Sequence, residues 1–192
     1  MVDPQNLALA YSLSTVAGLR ASLTILAVAI AVHLHAFTPP NALAWLASDT
    51  TLYVVGALVV ADFFADKIPV VDHVLHLVHA GLAPAAGGIA AASLDGSGGG
   101  DAVVFALLGA GNALGIHALR STTRVGATAV SFGILNPILS IVEDGLAVVA
   151  LALAFIAPFV MAALAIAATI GALIAGRRFS SWTRRKRSGP SS

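Results

Sequence analysis

The sequence predicts an all-α fold: a polytopic bundle of transmembrane helices with about six crossings, one or more of them broken. Of the 192 residues, 58% are hydrophobic and only 10% are charged, whereas an ordinary soluble domain carries about 25% charged residues. The mean hydropathy is +0.94, and the apolar residues form long runs separated by proline and glycine. Because lipid cannot satisfy an open backbone, we expect these runs to be helices.

The apolar runs set the number of crossings. They cover residues 5–36, 51–66, 71–94, 102–120, 136–157 and 158–178. Four segments connect the first five runs: "FTPPNALAW", "DKIPVVD", "LDGSGGGDA" and "STTRVGATAVSFG". The last two runs as one helix would extend about 64 Å, roughly twice the ~30 Å hydrocarbon core. We therefore interpret Ala157-Pro158 as a tight hairpin; one kinked helix that starts after Gly145 is the alternative.

The basic residues predict an orientation, because Lys and Arg near helix ends accumulate on the cytoplasmic side. Six of the ten lie in the tail "GRRFSSWTRRKRSGPSS". With six crossings, Lys67, Arg120 and Arg124 fall on the same side as this tail, whereas five crossings would separate them from it. We expect a transmembrane domain over residues 1–178, a basic cytoplasmic tail over 179–192, and a multi-pass protein of the cell membrane with both termini cytoplasmic. Arg20 alone is left inside an apolar run.

Two of the runs are expected to be interrupted. The first covers about 32 residues, or ~48 Å as a helix, so it must tilt, protrude or break, and Gly18 beside Arg20 is the weakest point. The third contains Gly81 and Pro84, which predict a split into an amphipathic piece, 71–80, and an apolar piece, 82–94. Transporters build binding sites from such interrupted helices, although a merely kinked packing helix fits the same residues.

Two adjacent acids lie within the fifth apolar run. Asn136-Pro137 is typical of a helix start, and Glu143 and Asp144 follow about 10 Å further along. An ionised acid inside the hydrocarbon costs at least ~2.5 kcal/mol, so we expect these acids to face the bundle interior with a basic partner. Arg20 is the candidate counter-charge. The alternatives are a structural ion pair, or acids at the interface if the helix starts after Gly145.

Of these two acids, the sequence favours Glu143 as the deeper contact. Glu143 lies three residues beyond Ser140, on the same face of a helix. Asp144, about 100° further round, is expected to support it.

A second group of polar residues lies in "ADFFADKIPVVDHVLHLVH", residues 61–79. Asp62 and Asp66 share a helix face, and Pro69 ends that helix before Asp72 begins the next. We expect the three acids to lie close together, with Lys67 offsetting part of their charge.

The same segment contains weak candidates for a metal site. On a helix over 71–80, Asp72, His76 and His79 lie within about 60° of one another, whereas His73 points roughly 100° away. Carboxylates and imidazoles can bind a divalent cation or relay protons. A solvated polar face at the membrane interface explains the same spacing.

The remaining motifs favour structure over chemistry. Gly111 and Gly115, with Gly109 and Ala110 nearby, form a small-residue face suited to close helix packing. The basic tail is expected to contact anionic lipid, and nothing indicates a nucleic-acid partner. The sequence predicts no cofactor.

The motifs "GLRASL", "ADKIPVVDHV", "HALR" and "NPILSIVED" resemble a family of bacterial and plant membrane proteins known as a domain of unknown function, number 4126. The resemblance extends over nearly the whole chain. Its specific parts match Asp66, Lys67, Pro69 and Asp72, and also Asn136, Pro137, Ser140, Glu143 and Asp144. In the family pattern, asparagine usually stands at the position of Arg20 and an acid at that of His76. The resemblance implies a polytopic membrane protein and supplies no reaction or substrate.

The functional hypothesis is a small transporter or channel for an ion, a proton or a small polar solute, which passes through a polar site between broken helices. The expected site residues are Arg20, Asp62, Asp66, Asp72, Asn136, Ser140, Glu143 and Asp144. A non-catalytic membrane scaffold and an intramembrane lipid-modifying enzyme are the alternatives, although neither a nucleophile elbow nor an HExxH motif is present. The oligomeric state stays open, and a homo-oligomer is one arrangement that the sequence allows.

Overall fold

A computed structural model describes residues 3–65, 69–95, 100–131 and 136–187 of the chain. Those residues form helices and no strand, so the prediction of an all-α fold is confirmed for them. The elements are α1 (Pro4–Leu19), α2 (Ala21–His33), a 3₁₀-helix (Asn41–Ala47), α3 (Asp49–Ala65), α4 (Pro69–Ala92), α5 (Gly100–Ser131), α6 (Asn136–Ile156) and α7 (Pro158–Arg187).

The first apolar run is broken at a single residue. Arg20 has an extended backbone, with φ −144° and ψ 93°, and separates α1 from α2. Its N–H donates to the carbonyl of Val16 (2.7 Å), and its own carbonyl accepts from the N–H of Thr24 (3.1 Å). These bonds satisfy both backbone groups of Arg20 itself. The last carbonyls of α1 and the first N–H groups of α2 still lack partners within their own helices, as at any helix end.

Helix α1 runs antiparallel to α4. The side chain of Asn6, near the start of α1, donates to the carbonyl of Leu94 just beyond the end of α4 (3.4 Å). Near the end of α1, Ala17 packs in a small apolar cluster with Ala86 of α4. The start of α7 lies beside the middle of α1, because Ser12 donates to the carbonyl of Pro158 (3.2 Å).

Helix α2 turns back alongside α1. Ser22 contacts Asp62 (2.5 Å), and His33 contacts Asp49 (3.2 Å), so α2 and α3 are antiparallel. The link from Ala65 to Pro69 spans at most about 14 Å, which holds the end of α3 near the start of α4. Since α4 ends beside Asn6, α2 returns to the end of the bundle where α1 begins. Helices α1 and α2 therefore form a hairpin with Arg20 at its tip.

This hairpin changes the relation between the two termini. Helix α5 runs parallel to α1, because Asn112 contacts Tyr11 and Arg120 contacts Leu19. Only Ala157 separates α6 from α7, and the two helices line one cavity along several turns, so α7 returns beside α6 as a hairpin. The prediction that both termini lie on one side took the first run as a single crossing. The hairpin adds one reversal of chain direction. The start of α1 and the end of α7 therefore lie at opposite ends of the bundle.

The two ends of the bundle differ in charge. Asp3, Asp49, Asp95 and Asp101 lie at the end where α1 begins, which we call the acidic end. Arg20, Arg120 and Arg124 lie toward the opposite end, as do the six basic residues of the last turns of α7, from Arg177 to Arg187. We call this the basic end.

Two helices are longer than predicted. The split of the third run at Gly81 and Pro84 is wrong, because α4 is continuous with Pro84 inside it. A proline inside a helix removes one N–H donor and can kink the helix without ending it. The predicted connection "STTRVGATAVSFG" is helical as far as Ser131. There the hydroxyls of Ser121 and Thr123 donate to carbonyls one turn earlier, at His117 and Leu119, which keeps polar side chains inside a helix.

Helices α4 and α5 pack with their backbones in close approach. A Cβ atom on Gly87 would lie 2.6 Å from the carbonyl oxygen of Gly109 and 2.5 Å from the Cβ of Ala113. By contrast, a Cβ on Gly111 or Gly115 would meet nothing within 4 Å. Of the predicted small-residue face, Gly109 and Ala110 therefore lie in the interface, since a Cβ on Gly88 would lie 3.6 Å from that of Ala110, and Gly111 and Gly115 do not.

The lengths of the helices are compatible with a membrane. In the described part of the chain, Gly100–Gly126 and Pro137–Ile156 are long and apolar enough to cross one. A third span results if Asn41–Ala47 and Asp49–Ala65, bent by 69°, count as one unit. Large apolar side chains such as Leu107 remain exposed (70%), as a lipid-facing surface requires.

The close approach of α4 and α5 can be tested with one added methyl group. Gly109→Ala would press a Cβ against the carbonyl oxygen of Gly87 and the Cβ of Ala91, so we expect a loss of about 1–3 kcal/mol of stability. Gly111→Ala is the matched control and is expected to be neutral or to gain up to about 1 kcal/mol. Thermal unfolding in detergent measures both, and equal melting temperatures would contradict the described interface.

Candidate functional site

Arg20, at the tip of the α1–α2 hairpin, is held by α6. Its side chain is buried, with 4% of the residue exposed. Its Nη2 atom forms an ion pair with Asp144 and donates to the hydroxyl of Ser140 (3.3 Å). Because residues four apart share a helix face, Ser140 and Asp144 present two oxygen acceptors to the guanidinium together.

Glu143 pairs with two other arginines, both on α5. Its Oε2 atom lies 2.8 Å from Nε of Arg120 and 2.7 Å from Nη2 of Arg124. Arg120 also donates from Nη1 to the carbonyl of Leu19 (2.8 Å), the last residue of α1. The carbonyls at a helix C-terminus lack partners within the helix and favour a cation, so Arg120 stabilises the end of α1.

The two acids of α6 therefore serve different partners. Arg20 was the predicted counter-charge for the pair, and in the structure it contacts Asp144, while Glu143 contacts Arg120 and Arg124. Ser140 was predicted on the face of Glu143, but it shares Arg20 with Asp144. A spacing of four residues separates two side chains by about 40° around the helix, and a spacing of three by about 60°, which explains this preference.

Asp62 of α3 forms a second polar group beside the hairpin tip. The hydroxyl of Ser22, in the first turn of α2, donates to Oδ2 of Asp62 (2.5 Å). Nε2 of His79, on α4, lies 3.5 Å from the same oxygen. Asp62 thus joins α2, α3 and α4 at the level of Arg20.

A cavity of about 500 Å³ opens between α2, α3 and α6. Its polar lining consists of Arg20, Ser22, Asp62 and Asp144. The rest of its wall is apolar and consists of Leu23, Val59, Phe63, Ile141, Gly145, Val148 and Val149. We call it the α2–α3–α6 cavity. It places two carboxylates from different helices, and one guanidinium, in an otherwise apolar space.

A second cavity, of about 470 Å³, lies on the other face of α6. Its polar lining includes Arg120, Glu143, Thr15, Thr123 and Thr169. Leu146 of α6 and Leu164 of α7 are among its apolar lining residues. The consecutive acids Glu143 and Asp144 therefore face two separate cavities.

Several predicted site residues lie outside the described part of the chain. Asp66 and Lys67 are not described, and nothing is described of the side chains of Asp72, His76 and Asn136. The expected proximity of Asp62, Asp66 and Asp72 stays a prediction. Among the described side chains, no group of three or more acids and histidines could hold a metal ion, and of the metal candidates His79 contacts Asp62.

Sequence reasoning missed Arg120, Arg124 and Ser22 as members of the site. Arg120 was assigned to the cytoplasmic end of the fourth run and Arg124 to the connection after it, although their spacing of four residues puts them on one helix face. Two consecutive acids at depth beside a single Arg20 were the signal that more basic partners were needed. Asn112, by contrast, has a structural role, since its amide donates to hydroxyls of α1 at Ser14 and Thr15, 2.8 and 2.9 Å away.

The Arg20–Asp144 pair can be tested by a double-mutant cycle. Asp144→Leu leaves the buried guanidinium of Arg20 without this carboxylate and is expected to cost about 3–5 kcal/mol of stability. Arg20→Met leaves the carboxylate of Asp144, which is 15% exposed, without its guanidinium and is expected to cost about 2–4 kcal/mol. The double variant should cost far less than the sum. Unfolding of the purified protein in detergent is the measurement.

The exposed pair of His33 and Asp49 provides the control for this cycle. Asp49→Asn is expected to cost less than about 1 kcal/mol, because the Asp49 side chain is 86% exposed. Strict additivity of the two buried substitutions would show that Arg20 and Asp144 do not interact.

Comparison with known proteins identifies the family. No curated protein and no solved structure matches the chain. One family model matches residues 7–178, a range that contains Arg20, Asp62, Arg120, Glu143 and Asp144. Because this range covers most of the sequence, the chain belongs to the family described as a domain of unknown function, DUF4126.

Proposed function

We propose that the chain is a small multi-pass membrane transporter or channel that moves a proton or another cation through the α2–α3–α6 cavity. One observation carries the proposal: the carboxylates of Asp62 and Asp144, from two different helices, face one cavity beside the break at Arg20. Both side chains are 15% exposed. Carboxylates held in an apolar bundle are costly, and their usual reason in membrane proteins is an ion or proton path.

The charges of the cavity favour a positively charged substrate. Its described lining contains two carboxylates against one guanidinium, so its net charge is negative when both acids are ionised. Nε2 of His79 lies 3.5 Å from Oδ2 of Asp62, so an imidazole stands next to one of the two carboxylates. An anion would meet repulsion from Asp62, whereas a cation gains from it.

The distribution of basic residues supports an orientation. We propose that the basic end of the bundle is cytoplasmic, because Lys and Arg accumulate on that side. Helices α3 to α7 then cross the membrane five times, and the C-terminus is cytoplasmic. The N-terminus lies outside, in contrast to the orientation expected from the sequence. Arg20, which the six-crossing scheme left unexplained, falls on the cytoplasmic half with the other basic residues.

In this arrangement the α1–α2 hairpin enters and leaves on the outer side. Helices α1 and α2 have 16 and 13 residues, or about 24 and 20 Å, less than a ~30 Å hydrocarbon core. The tip at Arg20 would then lie within the membrane. Non-helical backbone at that depth is tolerated where it is buried in protein or lines a cavity. Arg20 meets both conditions, because it is buried and lines the α2–α3–α6 cavity.

An intramembrane lipid-modifying enzyme is the second candidate, favoured by the contacts among Ser22, Asp62 and His79. Their order differs from that of a hydrolytic triad, in which histidine lies between the nucleophile and the acid. Here Ser22 donates directly to Asp62, and the imidazole of His79 contacts the acid on its other side, so among the described side chains the acid lies between the serine and the histidine. Turnover of lipid by the purified protein, abolished in Ser22→Ala, would favour this candidate over transport.

The orientation can be tested with reporter fusions at the two termini. We expect a reporter that is active only outside the cytoplasm to work at the N-terminus and to be silent after Arg187. A reporter inserted between Asp95 and Gly100 should also be external, since that connection joins helix ends at the acidic end. Identical readings at both termini would contradict the hairpin arrangement.

Transport can be tested in vesicles that contain a pH-sensitive dye and the purified full chain. We expect an imposed potential to drive proton flux through the wild type. Asp62→Asn should lower the flux at least about tenfold, a change in barrier of ~1.4 kcal/mol, because it removes a cavity carboxylate while an amide can still accept from Ser22.

Asp49→Asn makes the same chemical change at an exposed residue of the acidic end and should leave the flux unchanged. Wild-type flux in Asp62→Asn, with normal thermal stability, would exclude this cavity as the route.

A further inference from the structure

The size of the α2–α3–α6 cavity indicates a substrate larger than a bare ion. Its volume is about 500 Å³, whereas a water molecule occupies about 30 Å³ in the liquid. Cavities of about 300–1,000 Å³ are typical of sites for small organic molecules. A path for protons alone needs no such space.

We propose that this cavity binds a lipophilic organic monocation, such as a quaternary ammonium ion or a protonated amine with apolar substituents. The inference rests on the proposed function, since it names the substrate class of the same cavity. It follows from three properties of the lining: its net charge, its apolar walls and an aromatic ring.

The net charge selects a cation, and the walls select an organic one. Asp62 and Asp144 outnumber Arg20 by one charge. A metal ion would need about six oxygen ligands in place of its water, and the described lining offers two carboxylates and the Ser22 hydroxyl. An organic cation whose charged atom is surrounded by apolar substituents does not need a complete shell of oxygen ligands. Its substituents instead bury apolar area against Val59, Val148 and their neighbours.

Phe63 adds a group that attracts such cations. It lines the cavity one residue from Asp62, and aromatic rings attract quaternary ammonium groups through their negative faces. The ring packs edge-on against Phe64, with 5.5 Å between the centroids, which restrains its orientation.

The cavity is also placed where a membrane-soluble cation could enter. Phe63 is 44% exposed and Val149 is 65% exposed, both on apolar stretches of α3 and α6. In the proposed orientation these surfaces face lipid, where amphiphilic cations accumulate.

The test is equilibrium binding of radiolabelled tetraphenylphosphonium to the purified full chain in detergent. We expect saturable binding with one site per chain. Asp62→Asn should weaken it at least about tenfold, because a unit charge in a partly buried site is removed, and Asp62→Glu should restore most of the affinity. Tetraphenylborate, which has the same shape and the opposite charge, should not compete.

A pair of bulky substitutions on α6 tests the location without changing any charge. Val149→Trp fills the α2–α3–α6 cavity and should abolish binding. Leu146→Trp fills the cavity on the other face of the helix, at a similar exposure of 58% against 65%, and should leave binding intact. Melting temperatures of the two variants show that both fold.

The possible outcomes separate this inference from the proposed function. Absence of binding, with proton flux intact, would overturn the inference and leave the transport proposal standing. Binding that tetraphenylborate displaces, or that Asp62→Asn and Val149→Trp leave unchanged, would show adsorption to apolar surface and would also overturn it. Specific binding without any flux would support the inference and count against transport.

Discussion

A guanidinium at a helix break inside an apolar bundle needs a carboxylate partner. The arrangement of the described helices depends on the ion pairs that supply this partner. The hairpin of α1 and α2 turns at Arg20, which is buried and pairs with Asp144 of α6. The end of α1 receives a second guanidinium, Arg120, whose Nη1 donates to the carbonyl of Leu19. Arg120 in turn contacts Glu143 of α6. Two arginines from different elements thus tie the hairpin to α5 and α6. Removing Arg20 would leave Asp144 without this guanidinium, a loss that costs more than the intact pair contributes. Glu143 would keep its contact with Arg124 if Arg120 were removed.

The two consecutive acids of α6 have different roles, one in helix packing and one in lining a cavity. Successive residues of a helix differ by about 100° in direction, so Glu143 and Asp144 cannot serve the same cavity equally. Glu143 points to the face where α5 and α7 pack, and its two arginines hold helices together. Asp144 points to the cavity that also contains Asp62. Its ion pair with Arg20 therefore borders this cavity, and a bound cation could compete for it. Stability and the proposed transport then depend on neighbouring residues but on different faces of one helix.

Local patterns predicted the break beside Gly18 and Arg20, the separation of α6 and α7 at Ala157, and the need of two buried acids for a basic partner. They did not predict the direction of α2. Helical periodicity indicates which face of a helix is buried and not where the helix goes after a break, so one straight run and a tight hairpin share the same apolar pattern. The partners of Glu143 were missed for a related reason. The run "STTR" is typical of a connection, but its hydroxyls donate to carbonyls of the preceding turn, and the helix carries Arg124 inward.

The hairpin also reconciles the charge pattern with the fold. In a scheme of six crossings, Arg20 is an isolated charge that violates the distribution of the other basic residues. With the hairpin, Arg20 lies near Arg120 and Arg124, toward the end where α7 carries its basic residues. The same reversal brings Ser22 and Asp62 to the level of Asp144. The α1–α2 hairpin thus accounts both for the grouping of basic residues toward one end of the bundle and for the assembly of the polar cavity. The distribution of basic residues and the path of the helices thus agree, as expected for a sequence that specifies one fold. A functional site at the break is consistent with it, because the break alone brings three helices to one polar point.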